Sequence, residues 1–305
     1  MKVLLYGANG WIGQKVHDLL VSGGHTVIIG NMRAENSRDL EEEIKQVNPT
    51  NIISTIGRTH GTIDEVKYTT IDYLEQKGKL RENVRDNLYS PTVIAIISNK
   101  YGIHYAYLGT GCIFTYDGDE HPYEEERGGF AECSKPNFFG SSYSIVKGYT
   151  DMIMKMFDNV LNVRIRMPIT DEVNSRNFIT KITTYNKICS ISNSMTVLPE
   201  LLPIMIDMCE KNVTGTVNLT NPGLISHNEI LEMYKEIVDK DFIWDNFNID
   251  EQRQILASER SNNFLDTSRL ESLYKVKNIK DSIRDVLYSM KENQDTQEKQ
   301  EKREI

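Results

Sequence analysis

The chain has 305 residues, with 35 Lys and Arg against 44 Asp and Glu for a formal charge of −9; 39% of it is hydrophobic and 26% charged. That composition suits a globular protein long enough to bury a full core, and it argues against wholesale disorder. The acidic balance argues against a nucleic-acid or anionic-membrane partner, and any anionic ligand would need a local basic pocket.

The N-terminal half alternates short β-type runs with helical spacing. Strands are expected at Val3–Tyr6, Thr26–Ile29, Asn51–Ile56, Tyr105–Gly109 and Asn162–Met167, and helices at Ile12–Ser22, Asp39–Val47, Leu88–Asn99 and Ser144–Phe157. Alternation over this length predicts an α/β fold with a doubly wound parallel sheet. The pattern turns irregular after Pro168, then resumes with a returning strand at Val217–Leu219 and a helix Asn228–Val238 capped by Ser226. We therefore expect a nucleotide-binding domain over 1–167, with 215–240 returning to it. A smaller interleaved domain over 168–290 should be mainly substrate-binding. The last stretch, 291–305, is charged and expected to be disordered, a frayed helix extension being the alternative. The four cysteines lack CxxC spacing, so neither a metal site nor a disulfide framework is expected. No apolar run is long enough to span a membrane, and the opening run is too short for a signal peptide. A reduced, cytoplasmic protein is the expectation.

The run VLLYGANGWIG gives a strand, then Gly7, Gly10 and Gly13, then a helix. Glycines so placed permit a tight turn, close approach of backbone to a pyrophosphate and close helix–strand packing. Asn9, Trp11 and Ile12 complete this candidate loop, and Thr55 and Gly57 supply small residues at the end of the third strand. The second strand ends in VIIGNMRAEN, with no acid at the tip and Arg33 within reach. A basic residue there accommodates the 2′-phosphate of NADP, so NADPH is favoured over NADH; otherwise Arg33 is an ordinary loop charge.

Thr110 stands at a strand end, and SSYSIVKGY puts Tyr143 and Lys147 one helical turn apart on one face. With the glycine loop, this set resembles that of the extended short-chain dehydrogenase/reductases. The resemblance implies Tyr143 as general acid, Lys147 lowering its pKa and holding the nicotinamide ribose, and Thr110 bonding the substrate oxygen. Cys112 follows Thr110 by two residues in YLGTGCIFTY. Free cysteines usually pack as small hydrophobes. If the strand continued, Cys112 would share the face of Thr110, and a thiol there makes sense if a proton must also move at carbon.

The segments TGCIF, YSIVK, VRIRMPI, RNFITKIT, NSMTVLPELLPI, NLTNPGLISHNEILEMY and RSNNFLD together resemble the nucleotide-rhamnose synthase epimerase-reductases, from about residue 3 to about residue 288. That resemblance implies conversion of UDP-4-keto-6-deoxy-D-glucose to UDP-L-rhamnose with NADPH. A ketone at C4 acidifies the protons on C3 and C5, which are inverted by an acid/base pair before C4 is reduced. The family's pair maps to Cys112 and Lys181. Arg260 and Asn177 map near the diphosphate, where Arg176 could serve equally, a guanidinium fork suiting paired phosphate oxygens. The stretch STIGRTHG and the following TIDEVKYTTIDYLEQKGKLREN depart from the family pattern, which puts local loop geometry in doubt. An apolar stripe of Ile145, Tyr149, Ile153 and Met156 follows the catalytic face, and the resemblance implies that such helices pair across a two-fold axis into a homodimer; the alternative is that the stripe packs within its own subunit. The competing readings are a 4-keto reductase without epimerase action, in which Cys112 is packing, and a non-catalytic NADP-sensing protein.

Overall fold

Val3 and Leu5 turn to one side of their strand and Leu4 and Tyr6 to the other, and all are buried. A strand covered on both faces reads as a continuous apolar run, the mark of a parallel sheet between helices. The computed structural model describes residues 1–116 and 128–304. In it β1 (Lys2–Tyr6), β2 (Thr26–Ile29), β3 (Asn51–Ser54), β4 (His104–Thr110), β5 (Val160–Ile165) and β6 (Gly215–Asn218) form a six-stranded sheet. Its order is β6–β5–β4–β3–β1–β2, and every pairing is parallel. The order reverses beside β1, so a crevice opens between the carboxyl ends of β1 and β3, where ligands of doubly wound folds bind.

Helix α1 (Trp11–Ser22) covers one face, where Val16 and Leu20 meet Val3, Leu5 and Ile53. Helices α2 (Ser37–Val47), α3 (Ser90–Lys100) and α4 (Ser142–Met154) cover the other, with Leu40, Ile44, Ile94 and Met154 against Leu4, Ile52 and Tyr105. A separate core gathers Ile179 and Ile182 of α5 (Phe178–Thr184), Ile230 and Leu231 of α7 (His227–Ile237) and Ile283 and Leu287 of α8 (Ile279–Glu304). Between them α6 (Leu198–Glu210) returns to the first face of the sheet. Ser226 opens α7 with a capping box closed by Glu229.

Three departures from the sequence expectation have local causes. The helix ending at Lys100 starts ten residues earlier than α3 itself, with Leu80–Val84 and a wide turn at Arg85–Tyr89. Pro91 has no N–H for the carbonyl of Asn87, four residues back; the Thr150 hydroxyl of α4 donates to that carbonyl instead, at 2.6 Å. The strand expected to run to Met167 ends at Ile165, and Met167 takes a left-handed φ of 39° before Pro168. The charged stretch after 290, expected to be disordered, is instead helical to Glu304, with Lys291 and Asp295 paired one turn apart at 3.6 Å.

Arg164 of β5 is fully buried, and Asp151 of α4 holds it through Nε and Nη2, both at 2.8 Å. Removing one member of a buried pair strands the other charge. Asp151→Ala should therefore lower unfolding free energy by about 3–5 kcal/mol, read as a drop in urea midpoint. A loss under about 1 kcal/mol would show that neutral acceptors around Arg164 suffice.

Candidate active site

The chain leaves β1 through Gly7, whose φ of +84° is left-handed. Gly7 and Gly13 touch backbone to backbone: a Cβ on Gly13 would stand 2.0 Å from the Gly7 carbonyl oxygen. Gly10 caps α1 with no side-chain hydrogen bond, so the first N–H groups of the helix face the crevice uncapped by any side chain. The Thr55 hydroxyl donates to the carbonyls of Tyr6 at 3.3 Å and Gly7 at 3.1 Å, lacing β3 to the loop. The next residues are pinned by Asn87, which accepts from the Arg58 N–H at 2.9 Å and donates to the Arg58 carbonyl at 2.8 Å, while Gly57 has ordinary room for a Cβ. Trp11 and Ile12 pack on the core, and Asn9 is exposed. This cradle fits a dinucleotide pyrophosphate. Arg33 is exposed at the tip of β2, with Glu35 3.8 Å away, a geometry open to a phosphate.

At the carboxyl end of β4 the buried Thr110 accepts the N–H of Cys112 at 3.1 Å. The strand stops at Thr110, so Cys112 lies in a turn and not on a continued strand face as expected. The turn still delivers it: Cys112 packs with Tyr143, Tyr73 and Leu74. Tyr143 sits in the first turn of α4, which Ser141 caps through the Ser144 N–H at 3.0 Å. Burial pushes the Tyr143 phenol well up and the charge of Cys112 adds to this, while a hydrogen bond with Thr110 offsets part of it. Lys147 was expected to draw Tyr143 down. Its ammonium instead donates to the Tyr107 hydroxyl and lies 4.6 Å from that ring centre. Burial lowers Lys147 itself to about 7, against weaker upward pulls from Asp151 and Cys112.

A second cluster is cationic. Lys181 projects from α5 with Arg176 and Arg260 close enough to repel its charge; burial first, then these neighbours, lower it to about 8. Arg176 donates to His60, whose pKa is lowered to about 4 by burial and by Arg176 and Arg58. Arg260 reaches Asp72 at 2.5 Å and Ser258 Oγ at 2.7 Å. The one-turn helix Ile71–Tyr73 joins the clusters: Asp72 takes Arg260, while Ile71 and Tyr73 pack with Cys112 and Tyr143. Asn177 is the exception among the sequence candidates. It is fully buried as the cap of α5, accepting from Thr170 N and Ile179 N at 3.3 Å and donating to Thr170 O and Glu172 O at 2.8 Å. With its amide saturated by backbone, it has nothing left to offer a diphosphate.

No family model matches the chain. The chain is 52% identical over 293 residues to protein L780 of Acanthamoeba polyphaga mimivirus, covering 95% of this chain and 99% of that protein. The crystal structure of that L780 UDP-rhamnose synthase superposes with a TM-score of 0.91 at 51% identity, over 95% of this chain and 99% of that one. A bifunctional dTDP-4-dehydrorhamnose 3,5-epimerase/dTDP-4-dehydrorhamnose reductase of Arabidopsis thaliana is 39% identical over 282 residues, 92% of this chain and 90% of that protein. The chain belongs to the nucleotide-rhamnose epimerase-reductases. Its fold alone is shared with dTDP-4-dehydrorhamnose reductase from Bacillus anthracis in complex with NADP, at 16% identity and a TM-score of 0.74 over 94% of this chain and 98% of that one.

Several residues of this epimerase-reductase site carried no sequence signal. Tyr107 reads as one more aromatic in a buried strand, and Asp72 and His60 fall in the stretch that departs from the family pattern. Glu172 reaches back from the second lobe to Trp11 and to Lys15, the latter at 2.9 Å, closing one side of the nucleotide loop. Among the described residues no helix is long and apolar enough to cross a membrane.

An unfolded lysine keeps its proton to about pH 10.4, whereas folded Lys147 releases it near 7. Between these values the unfolded state holds more protons, so this residue makes stability rise with pH. Lys147→Met should show a smaller rise in urea midpoint from pH 7 to pH 9 than the parent. An unchanged rise would mean that Lys147 stays charged in the fold.

Proposed function

We propose that this chain converts UDP-4-keto-6-deoxy-D-glucose to UDP-L-rhamnose, epimerising C3 and C5 and reducing C4 with NADPH in the cytoplasm. The observation that carries the reading is the packing of Cys112 against Tyr143, with the cationic cluster of Lys181 held to the same pocket through Ile71–Tyr73. A reductase alone has no use for that thiol. The uridine carrier is inferred from similarity to the L780 synthase.

In this reading Gly7, Gly10 and Gly13 hold the pyrophosphate, with Arg33 on the 2′-phosphate and Lys147 on the nicotinamide ribose. Bound NADPH supplies the hydride that reaches C4. Cys112 and Lys181 move protons on opposite faces of the sugar at C3 and C5, and a thiol and a lysine brought to about 8 by its surroundings suit that work near neutral pH. Thr110 orients the C4 oxygen, and Tyr143, kept protonated by burial, gives its proton to the alkoxide that hydride addition creates. Arg176 and Arg260 take the diphosphate, so a chain of net charge −9 binds a polyanion through a local field.

Two variants separate the two halves of the chemistry. Cys112→Ser should lose C3 and C5 proton exchange in D₂O by about 10²–10⁴-fold while retaining NADPH binding. Tyr143→Phe should keep the exchange and lose NADPH oxidation at 340 nm. Both reactions are followed with UDP-4-keto-6-deoxy-D-glucose, exchange by NMR without cofactor. Exchange at the parent rate in Cys112→Ser would leave a reductase with a packing cysteine.

We also propose a homodimer. Ile145, Tyr149, Met152 and Met156 are exposed along α4 and its end, as is Ile96 of the neighbouring α3; Ile153, expected in this stripe, turns inward to the core. Sedimentation should give twice the chain mass of 35.1 kDa. A single-chain mass at micromolar concentration refutes it.

A further inference from the structure

The run VRIRMPI carries two buried arginines with opposite surroundings. Arg164 has Asp151, but Arg166, 1% exposed, has no ion-pair partner among the described residues. Its fork is spent on neutral acceptors: Nε donates to Ser194 O at 3.3 Å, Nη1 to Gly111 O at 3.2 Å and Ser261 Oγ at 3.1 Å, and Nη2 to Asn193 Oδ1 at 2.6 Å and Ser261 O at 3.0 Å. A buried cation without a counter-charge is uncommon, because desolvation opposes it. The titratable groups that face it are Cys112 and Tyr116, and the Tyr116 hydroxyl is occupied with Ser192 O at 3.0 Å.

The carbonyl that Arg166 grips belongs to Gly111, the residue joining Thr110 to Cys112. Asn263 Nδ2 holds the same oxygen at 3.0 Å, and a Cβ on Gly111 would stand 3.0 Å from Arg166 Cγ. The cysteine turn is thus clamped from behind by a permanent positive charge. From the other sides the charges of Tyr143 and Lys147 of α4 act on Cys112, which packs in the apolar cluster that also holds Tyr68 and Tyr73. Lys147, lowered to about 7, is partly neutral at working pH, whereas a guanidinium does not titrate there.

We propose that Arg166 is the positioning residue that makes Cys112 the base of the epimerisation and leaves Lys181 the acid, an inference resting on the epimerase reading above. The Cys112 thiolate takes the proton from C3 or C5; the C–H electron pair moves toward the C4 ketone as an enolate. The Lys181 ammonium then delivers a proton to the opposite face of the same carbon as the enolate collapses to the ketone. Sulfur ends as thiol and nitrogen as amine, and one proton passed from the thiol to water and one taken up by the amine restore the pair for the next centre. Through the cycle the fixed charge of Arg166 stands opposite the negative charge that the sulfur carries as base, and Lys181, lowered only to about 8, stays mostly charged near pH 7.

Three measurements test this. In the parent enzyme, iodoacetamide labelling of Cys112, read by peptide mass spectrometry, should climb less than about tenfold from pH 6.5 to 8.5, where glutathione climbs about fiftyfold. Arg166→Met should cut C3 and C5 exchange at least about 100-fold while NADPH oxidation with pre-formed UDP-4-keto-L-rhamnose stays within about threefold. Arg166→Lys, which keeps the charge, should recover exchange to within about tenfold of the parent. Labelling that parallels glutathione overturns the proposal, as do equal losses of exchange and reduction in Arg166→Met, the mark of a purely structural arginine. If Arg166→Met does not fold, the parent labelling and Arg166→Lys decide. Loss of exchange in Cys112→Ser with parent-like exchange in Arg166→Met would discard Arg166 alone; full exchange in Cys112→Ser would remove the base itself and the proposal with it.

Discussion

Desolvation at the carboxyl end of β4 governs this molecule. A phenol, an ammonium and a thiol are gathered where the sheet and the first turn of α4 exclude water, and burial is the largest influence on Tyr143 and Lys147 alike. It acts in opposite senses on the two, holding a proton on the phenol and loosening one from the lysine. A pocket that keeps one group protonated and another near its titration point is suited to several proton transfers in sequence.

Such a pocket has to be held rigidly, and the surrounding polar groups do so mostly through backbone. Thr110 and Arg166 fix the cysteine turn from two sides. Asn87 ties the loop after β3 to the helix behind it, and the proline that frees its carbonyl lets Thr150 of α4 bind there. Asn177 does the same for the loop carrying Arg176. These buried amides are accordingly expensive to remove, since each would leave backbone groups unsatisfied.

The electrostatics of the site run against those of the chain. A net charge of −9 coexists with Arg58, Arg176, Lys181 and Arg260 converging on one crevice. Asp86 pairs with Arg58 at 3.0 Å, and Asp72 engages Arg260 at the point where Ile71 and Tyr73 reach Cys112 and Tyr143. Loop residues with no regular pattern thereby connect the two halves of the site.

Apolar periodicity and the glycine spacing were enough to place the parallel sheet and its nucleotide loop, because burial on both faces and close backbone approach leave few residue types possible at Val3–Tyr6, Gly7 and Gly13. The helical spacing of Tyr143 and Lys147 and the segment similarity likewise brought out the residues that gather at the end of β4, since both are local properties. What the local pattern misjudged was where side chains end. Asn177 reads as a ligand but is consumed by its own loop, Lys147 turns to Tyr107, and Ile153 faces the core where Met152 faces out. Arg164 and Arg166 stand two residues apart in one motif and look equivalent; only the fold gives one a carboxylate and leaves the other facing a cysteine. Partner identity depends on segments far apart in the chain, and desolvation depends on everything packed around a group, so neither could be read from the residues alone.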